Sequence, residues 1–341
     1  MGLPTCTVVV ATFNRVAGLK RLLETLADQD VGPENFEVVV VDDGSTDETW
    51  QFLNSVRTPF ALHSLTQTNQ GPAAARNEGI RAASGDVIVT LDDDVEPHRD
   101  LLRRHLEAHL NGQPVAAIGR FALPQDAQLA PWVAWEFTGL EQQYAAMKRG
   151  DWEASPRQFY TANASVPRAA YLEAGLFDPV FRRGEDVELA YRLRDLGLHF
   201  KFLPDAIIDH RPNRTFADWQ RIARQYGHYD ILMWRTKGRE HILSLIGHEF
   251  RNDRPAALQF AAQVLIGRRR ALHLAVRFLG ASARVGAFVS LDRFMRPVFS
   301  AIFNLLYWQG VADALGGRDV FLASVIAGSA ANAAVKTQHA G

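Results

Sequence analysis

The chain has a single cysteine, Cys6, among its 341 residues, so it cannot build an internal disulfide framework. One thiol inside an apolar run reads as a buried, inert side chain, and cysteine this scarce favours a reducing compartment. Long apolar runs are lacking too. The uncharged stretches Pro297–Ala312 and Val320–Val335 are interrupted by Asn304, Gln309, Gly328 and Asn332. Both fall short of the roughly 20 mostly apolar residues that a membrane-spanning helix needs. Burial in a helical subdomain is the first reading of these stretches, and contact with a membrane surface the second. No signal peptide is visible ahead of the first strand pattern. Repeats, low-complexity tracts and long structureless linkers are absent as well.

The composition that remains suits a globular protein with a sizeable core: 47% hydrophobic and 22% charged residues. The formal net charge of −1 hides a division. Residues 211–341 carry 18 Lys and Arg against 8 Asp and Glu, a net of +10, and residues 1–210 carry 19 against 30, a net of −11. An acidic half suits a metal site, and a basic half suits a polyanion or an anionic surface. The run Gly267–Arg296 sets Arg268, Arg269, Arg270, Arg277, Arg284, Arg293 and Arg296 among Leu, Val and Phe. It fits an interfacial amphipathic region, with a solvated charged face as the plainer alternative. Motifs for sequence-specific nucleic-acid binding are absent, so nucleic acid is not an expected partner.

Strands alternate with helices along the first half, which predicts an α/β fold with a mostly parallel sheet and helices on both faces. Strands are expected at Thr7–Thr12, Phe36–Val41, Leu62–Thr66, Val87–Leu91 and Phe200–Ile208. Leu19, Leu22, Leu23 and Leu26 mark one amphipathic helix. A second is expected from Asp47 to about Val56, capped by Ser45 or Thr46. Two more are expected from Ala73 to Ala83 and from Gly184 to Leu196. Residues 120–160 read as less regular and rich in aromatics. Beyond His210 the pattern is helical.

Five constellations carry candidate chemistry, and each has a plainer reading. Thr12, Asn14 and Arg15 follow the first strand, where a polar tip can face a nucleotide or simply end the strand. Asp43 ends the second strand, where a carboxylate can accept from a base N–H or a ribose hydroxyl, or serve a helix-capping turn. Gly71 opens a helix whose backbone N–H groups suit an anion. Arg76 on that helix can reach a phosphate or lie exposed on its surface. Asp92, Asp93 and Asp94 end an apolar strand. Alternation along the strand puts Asp92 and Asp94 on one side, offering hard oxygen ligands to Mg²⁺ or Mn²⁺; a solvated acidic loop is the alternative. Glu185 and Asp186 open a later helix, where negative charge is favoured in any case and where a general base would be rigidly held.

The order of these pieces, with Tyr160–Ser165, Gly175-Leu176-Phe177-Asp178 and Gly184-Glu185-Asp186 following, resembles the family 2 glycosyltransferases over roughly residues 5–212. That resemblance implies the GT-A nucleotide-diphospho-sugar fold, a Rossmann-like sheet flanked by helices. It also implies an inverting, metal-dependent transfer from a UDP-, dTDP- or GDP-linked sugar to an acceptor hydroxyl, in the synthesis of polysaccharide, glycolipid or a related glycoconjugate. Residues 1–212 would form the catalytic domain, with 1–119 as its nucleotide-sugar half and 120–212 as its acceptor half. Residues 213–341 would form a helical region with peripheral membrane contact as a candidate role.

Carried over residue by residue, Thr12, Asn14, Arg15, Asp43, Arg76, Asp92 and Asp93 would bind the donor. Asp94 and Asp92 would ligate Mg²⁺ or Mn²⁺. His210 would complete the shell or be an ordinary hydrogen-bonded histidine, and Asp209 beside it competes for the same assignment. Asp186 would be the catalytic base, with Glu185 beside it toward the acceptor. The aromatics of 132–160 would stack on sugar rings or pack a core. The rivals are a sugar nucleotidyltransferase, which would have a Gly-rich basic loop where Ala11–Arg15 stands, and an inactive nucleotide-sugar-binding module, which would lack one of the key carboxylates.

Overall fold

The computed structural model describes residues 3–124, 126–212, 214–288 and 292–327. Gly328, Asn332 and the end of the second uncharged stretch lie outside the described residues, as do the side chains of Arg284 and Arg293. The chain divides into two compact units. One comprises residues 1–128 and 139–212, and the other residues 129–138 and 213–341.

The first unit is built on valine-rich strands whose branched side chains suit a doubly covered sheet. In chain order its elements are β1 (Cys6–Thr12), α1 (Val16–Ala27), β2 (Phe36–Asp42), α2 (Thr49–Ser55), β3 (Ala61–Thr66), α3 (Pro72–Ala82), β4 (Val87–Asp92), β5 (Val95–Pro97), α4 (Leu101–Glu107), β6 (Val115–Ala122), the part of α5 (Pro131–Arg149) from Gly139 onward, β7 (Asn163–Pro167), α6 (Arg168–Glu173), α7 (Glu185–Asp195) and β8 (His199–His210). Val8, Val9, Val10, Val38, Val39, Val40, Ile88 and Val89 have no exposed surface. Leu19, Leu22, Leu23 and Leu26 bury the inner face of α1 as their spacing predicts. Each such side chain contributes about 1.5–3 kcal/mol. Cys6 is buried, and its thiol is pushed up to about 12 by burial and then by the charge of Glu37.

The eight strands run in the order β3-β2-β1-β4-β7-β6-β8-β5. The sheet is mixed: β1–β2, β1–β4, β2–β3 and β6–β8 are parallel, whereas β4–β7, β6–β7 and β5–β8 are antiparallel. β4 and β5 stand four places apart in this order, yet only Asp93 and Asp94 join them. In a flat sheet four places cover about 19 Å, while that link reaches at most about 11 Å. The sheet therefore has to curl. The curl sets Val95 opposite His210 in the β5–β8 ladder, and so brings the end of the last strand to the acidic turn.

Two local expectations fail. The helix after β2 begins at Thr49 with Glu48 as its N-cap, and neither Ser45 nor Thr46 caps it. The backbone amides of Thr46 and Asp47 go to Asn14 Oδ1 instead. Residues 120–160 are also more regular than expected, because α5 occupies 19 of them. Its buried Val133, Phe137, Tyr144 and Met147 do follow a helical period, but Trp132 and Trp135 add a second apolar face that hides it.

The second unit contains α8 (Phe216–Lys237), α9 (His241–Asn252), α10 (Ala256–Leu265), α11 (Arg269–Phe288), α12 (Asp292–Leu315) and α13 (Arg318–Phe321), followed by one wide turn at Leu322–Ile326. Helices α8 and α12 cross at two glycines. A Cβ on Gly227 would collide with the Tyr307 carbonyl, and one on Gly310 with the Arg224 carbonyl. Tyr307 donates to Asp230 at 2.7 Å beside this crossing. Trp219 is fully buried among Trp135, Phe216, Phe299 and Phe303. No helix among the described residues is long and apolar enough to cross a membrane.

Candidate active site

Every candidate donor, metal and base residue belongs to the first unit, and most follow the carboxyl ends of parallel strands, where open α/β sheets bind ligands. After β1 the chain turns at Asn14, which takes φ +54°. Asparagine tolerates this left-handed conformation because its short amide bonds locally. Its Oδ1 accepts from the amides of Thr46 at 2.7 Å and Asp47 at 3.2 Å, and its own amide donates to Ser45 Oγ at 2.8 Å. Asn14 thus ties the loop after β1 to the loop after β2.

Asp43 is buried. Its Oδ1 accepts from Gln67 Nε2 at 2.6 Å and the Gln70 amide at 2.9 Å, and its Oδ2 accepts from the Gly71 amide at 2.7 Å. Three of the roughly four acceptor directions of a carboxylate therefore serve the loop that leads into α3. Arg182 closes the same loop from the other side by donating to the Gln70 carbonyl at 2.8 Å. Residue spacing does not single out Arg182, whose role appears only when the fold brings it to the Gln70 carbonyl.

The Asp tripeptide departs from the expected alternation, since β4 ends at Asp92 and the next two residues form a turn. Asp92 and Asp94 do not share a partner. Asp92 accepts from Arg76 Nη2 at 2.7 Å. Asp94 accepts from Arg15, whose Nη1 also lies 3.6 Å from Asp93 Oδ1. Asp93 is buried and accepts from Thr12 Oγ1 at 2.7 Å. Burial pushes the Asp93 carboxyl up to about 7, against the opposing pull of Thr12 and Arg15. Burial works on Asp94 in the same sense, but there His210 and Arg15 together outweigh it and hold the carboxyl down at about 2. His210 Nε2 stands 3.7 Å from Asp94 Oδ1, whereas Asp209 approaches His98 at 3.6 Å. Of the two neighbours, His210 is the one that faces the acidic turn.

Gly18 on α1 fits under this turn, where a Cβ would collide with the Asp93 carbonyl oxygen.

Arg76 is buried rather than exposed on its helix. It donates to Asp92 at 2.7 Å and to Glu185 at 3.0 Å, and its Nε has no hydrogen-bond partner. Burial opposes its charge, but the two carboxylates prevail and raise its pKa. Next to it on α3, Asn77 donates to the Phe177 carbonyl and accepts from the Phe177 amide, both at 2.8 Å. Helix α7 follows Gly184 at φ +72° and opens with Glu185 and Asp186. Asp186 is half-buried and accepts from the Val187 amide at 2.8 Å. Burial, and then the charge of Glu185, push its carboxyl up to about 7.

The aromatics expected near an acceptor largely pack inside their own units. Tyr144 stacks on Phe202 at 5.2 Å, and Trp132 meets Phe216 at 5.0 Å. Trp152 is 44% exposed and remains available for stacking on a sugar. A recess of about 460 Å³ lies among Thr25, Gln29, Pro97 and Arg99, at the far end of α1 from Arg15, and contains none of the candidate residues.

For a divalent cation, Asp94 offers a carboxylate oxygen, the donor type that suits Mg²⁺ or Mn²⁺, and the His210 imidazole stands close to it. Asp92 is turned toward Arg76. Among the described residues no three His, Cys, Asp or Glu side chains already form an ion cage. The fit is therefore that of a partial site, which a diphosphate and water would complete.

Residues 7–172 match the family model of glycosyl transferase family 2. A validoxylamine A glucosyltransferase from Streptomyces hygroscopicus subsp. limoneus is 34% identical over 226 residues, covering 57% of this chain and 49% of the relative. A pre-mycofactocin glycosyltransferase from Mycobacterium tuberculosis is 31% identical over 234 residues, covering 64% and 45%. The chain spans about half the length of these curated relatives. Among solved structures, the mannosyltransferase PcManGT from Pyrobaculum calidifontis, in complex with GDP-Man and Mn²⁺, is 23% identical and covers 90% of this chain and 88% of its own, with a TM-score of 0.61. The fold is GT-A.

Proposed function

We propose that the chain transfers a sugar from a nucleoside-diphosphate sugar to an acceptor hydroxyl with inversion, in a reaction assisted by Mg²⁺ or Mn²⁺. The observation that carries this reading is the half-buried Asp186 at the start of α7, joined through Glu185 and Arg76 to Asp92 at the end of β4. A carboxyl held at about 7 suits a general base, because its proton affinity is matched to neutral working pH.

In this reading residues 1–119 hold the donor and residues 120–212 form the acceptor half. Thr12, Asn14, Arg15, Asp43, Arg76, Asp92 and Asp93 line or support the donor site. Asp94 and His210 would hold the cation, joined by Asp92 if it turns from Arg76, and the bound ion would neutralise the diphosphate and the charge of the departing nucleotide. The Mn²⁺ and GDP-Man bound by the structural neighbour support that assignment. Asp186 takes the proton from the acceptor hydroxyl while the hydroxyl oxygen attacks the anomeric carbon. The bond to the nucleotide breaks on the opposite face, and the nucleoside diphosphate leaves with the bonding pair. One base suffices because no sugar is linked to the enzyme. Glu185 stays paired with Arg76 beside the base. The acceptor is a carbohydrate or a lipid-linked glycan in polysaccharide or glycoconjugate synthesis, and the proposed location is cytoplasmic.

Asp186→Asn tests this directly. Loss of a general base lowers turnover by about 10²–10⁴-fold, while donor affinity, read by thermal shift across a panel of nucleotide sugars with Mn²⁺, stays within a few-fold of the parent. Parental turnover in this variant would overturn the base assignment.

A further inference from the structure

Helices α10 and α11 follow one another in the second unit and carry an outer surface that is wrong for water. The rule for a solvent-facing helix is polar residues outside and apolar residues inside. On α11 the inner side is regular, with Leu272, Val276 and Ala283 buried. Its outer side, however, holds Leu274 at 65% exposure and Phe278 at 74%. One turn apart at i and i+4, these two share a stripe, and exposed Arg270 and Arg277 flank it. On α10, Phe260 is 68% exposed, and Val264 one turn on is exposed as well. Phe278, Phe260 and Leu274 are the three most exposed large hydrophobic residues among those described. On each helix the exposed apolar pair lies one turn apart, so each helix carries an outward apolar stripe rather than a single stray side chain.

The charge around these stripes decides what covers them. Residues 254–291 contain six arginines and no aspartate or glutamate. Arg254 lies 3.7 Å from Glu249, and Arg269 lies 3.3 Å from Asp313, so both have acidic neighbours within the unit. Exposed Arg268, Arg270 and Arg277 have no ion pair of this kind among the described residues. Apolar side chains interleaved with arginine match a layer that is anionic outside and hydrocarbon inside. A nucleic-acid duplex would use the arginines but leave Phe260, Leu274 and Phe278 in water. A second copy of this chain would bring the same positive charge against itself.

We infer that the α10–α11 pair is a docking surface for an anionic phospholipid membrane, with Phe260, Leu274 and Phe278 entering the headgroup boundary and Arg270 and Arg277 lying among the phosphates. Binding is peripheral, since no described helix can span the bilayer. The inference stands apart from the transferase reading, because none of these residues belongs to the candidate active site.

The test is flotation of the full chain with phosphatidylcholine vesicles, with and without about a third phosphatidylglycerol, at low and high salt. The parent should float with the anionic vesicles at low salt, and added salt should weaken it. Each arginine near such a surface is worth roughly five-fold in partitioning, so Arg270→Gln/Arg277→Gln should lose roughly thirty-fold. Phe260→Ser/Phe278→Ser should abolish flotation while leaving far-UV circular dichroism unchanged, since both side chains are exposed. Phe278→Trp should add an emission component that shifts blue on anionic vesicles and is quenched by brominated lipid. No flotation of the parent at low salt would overturn the inference, as would undiminished flotation of the serine variant. A salt-sensitive RNA complex or a dimer broken by Phe278→Ser, with no vesicle binding, would overturn it in favour of those partners.

Discussion

Arg76 and Glu185 lie 109 residues apart in sequence and meet at 3.0 Å in the interior. The same guanidinium holds Asp92 at 2.7 Å, so one buried cation fastens the helix of the proposed base to the strand of the acidic turn.

Removing that cation should cost stability as well as activity. Arg76→Met leaves the buried Glu185 carboxylate without its partner, a change that typically costs about 3–5 kcal/mol when a buried pair is broken. The midpoint of urea denaturation should fall accordingly. Arg76→Met/Glu185→Gln should recover part of the loss, because the stranded charge is gone. A single variant as stable as the parent would show that the contact contributes nothing.

The pH dependence follows from Asp186. Its folded pKa is raised to about 7, and a base works only when deprotonated. The rate should therefore fall as pH drops below about 7, approaching tenfold per unit. Glu185 contributes to the raised value, so Glu185→Gln should move the acid limb to lower pH. Asp93 is also raised to about 7, and Asp93→Asn separates the two. If that variant alone abolishes the limb, Asp186 is not the group being observed.

Chelation should suppress transfer, and added Mn²⁺ should restore it. Asp94→Asn should weaken both the restoration and the rise in melting temperature that donor plus Mn²⁺ gives to the parent, since a bound ligand stabilises by mass action. Full turnover after thorough chelation would remove the ion from the reaction.

Gly18→Ala makes a counterintuitive prediction. Alanine is favoured over glycine within a helix by about 1 kcal/mol, yet a Cβ here collides with the Asp93 carbonyl. The variant should melt lower by roughly 2–4 °C for each kcal/mol of net loss, and its KM for donor should rise. A higher melting temperature with unchanged KM would show that the turn moves aside freely.

Much of this was legible in the chain itself. Runs such as Val8-Val9-Val10 and Val38–Val41 can hardly be anything but buried strands, and Leu19, Leu22, Leu23 and Leu26 fix the inward face of α1. The candidate acids and Arg76 were found through the order of their motifs. What escaped was long-range pairing. β5, β6 and β7 went unnoticed because β5 has three residues, β7 is Asn163–Pro167 with little apolar character, and antiparallel insertion leaves no local mark. Alternation misplaced Asp92 and Asp94 because it ends where the strand ends, and the turn then follows Arg15 and His210. The pairing of Arg76 with Glu185 and the latch of Arg182 on Gln70 depend on tertiary approach, for which residue spacing has no signal.

Cys6 sits in β1 with 2% of its surface exposed, and its thiol is pushed up to about 12. Under conditions that keep the chain folded, a maleimide or spin-label reagent therefore meets no competent native sulfur. A cysteine introduced at Trp152 or Phe278 would be the sole reporter, giving distance and polarity measurements on an otherwise native background.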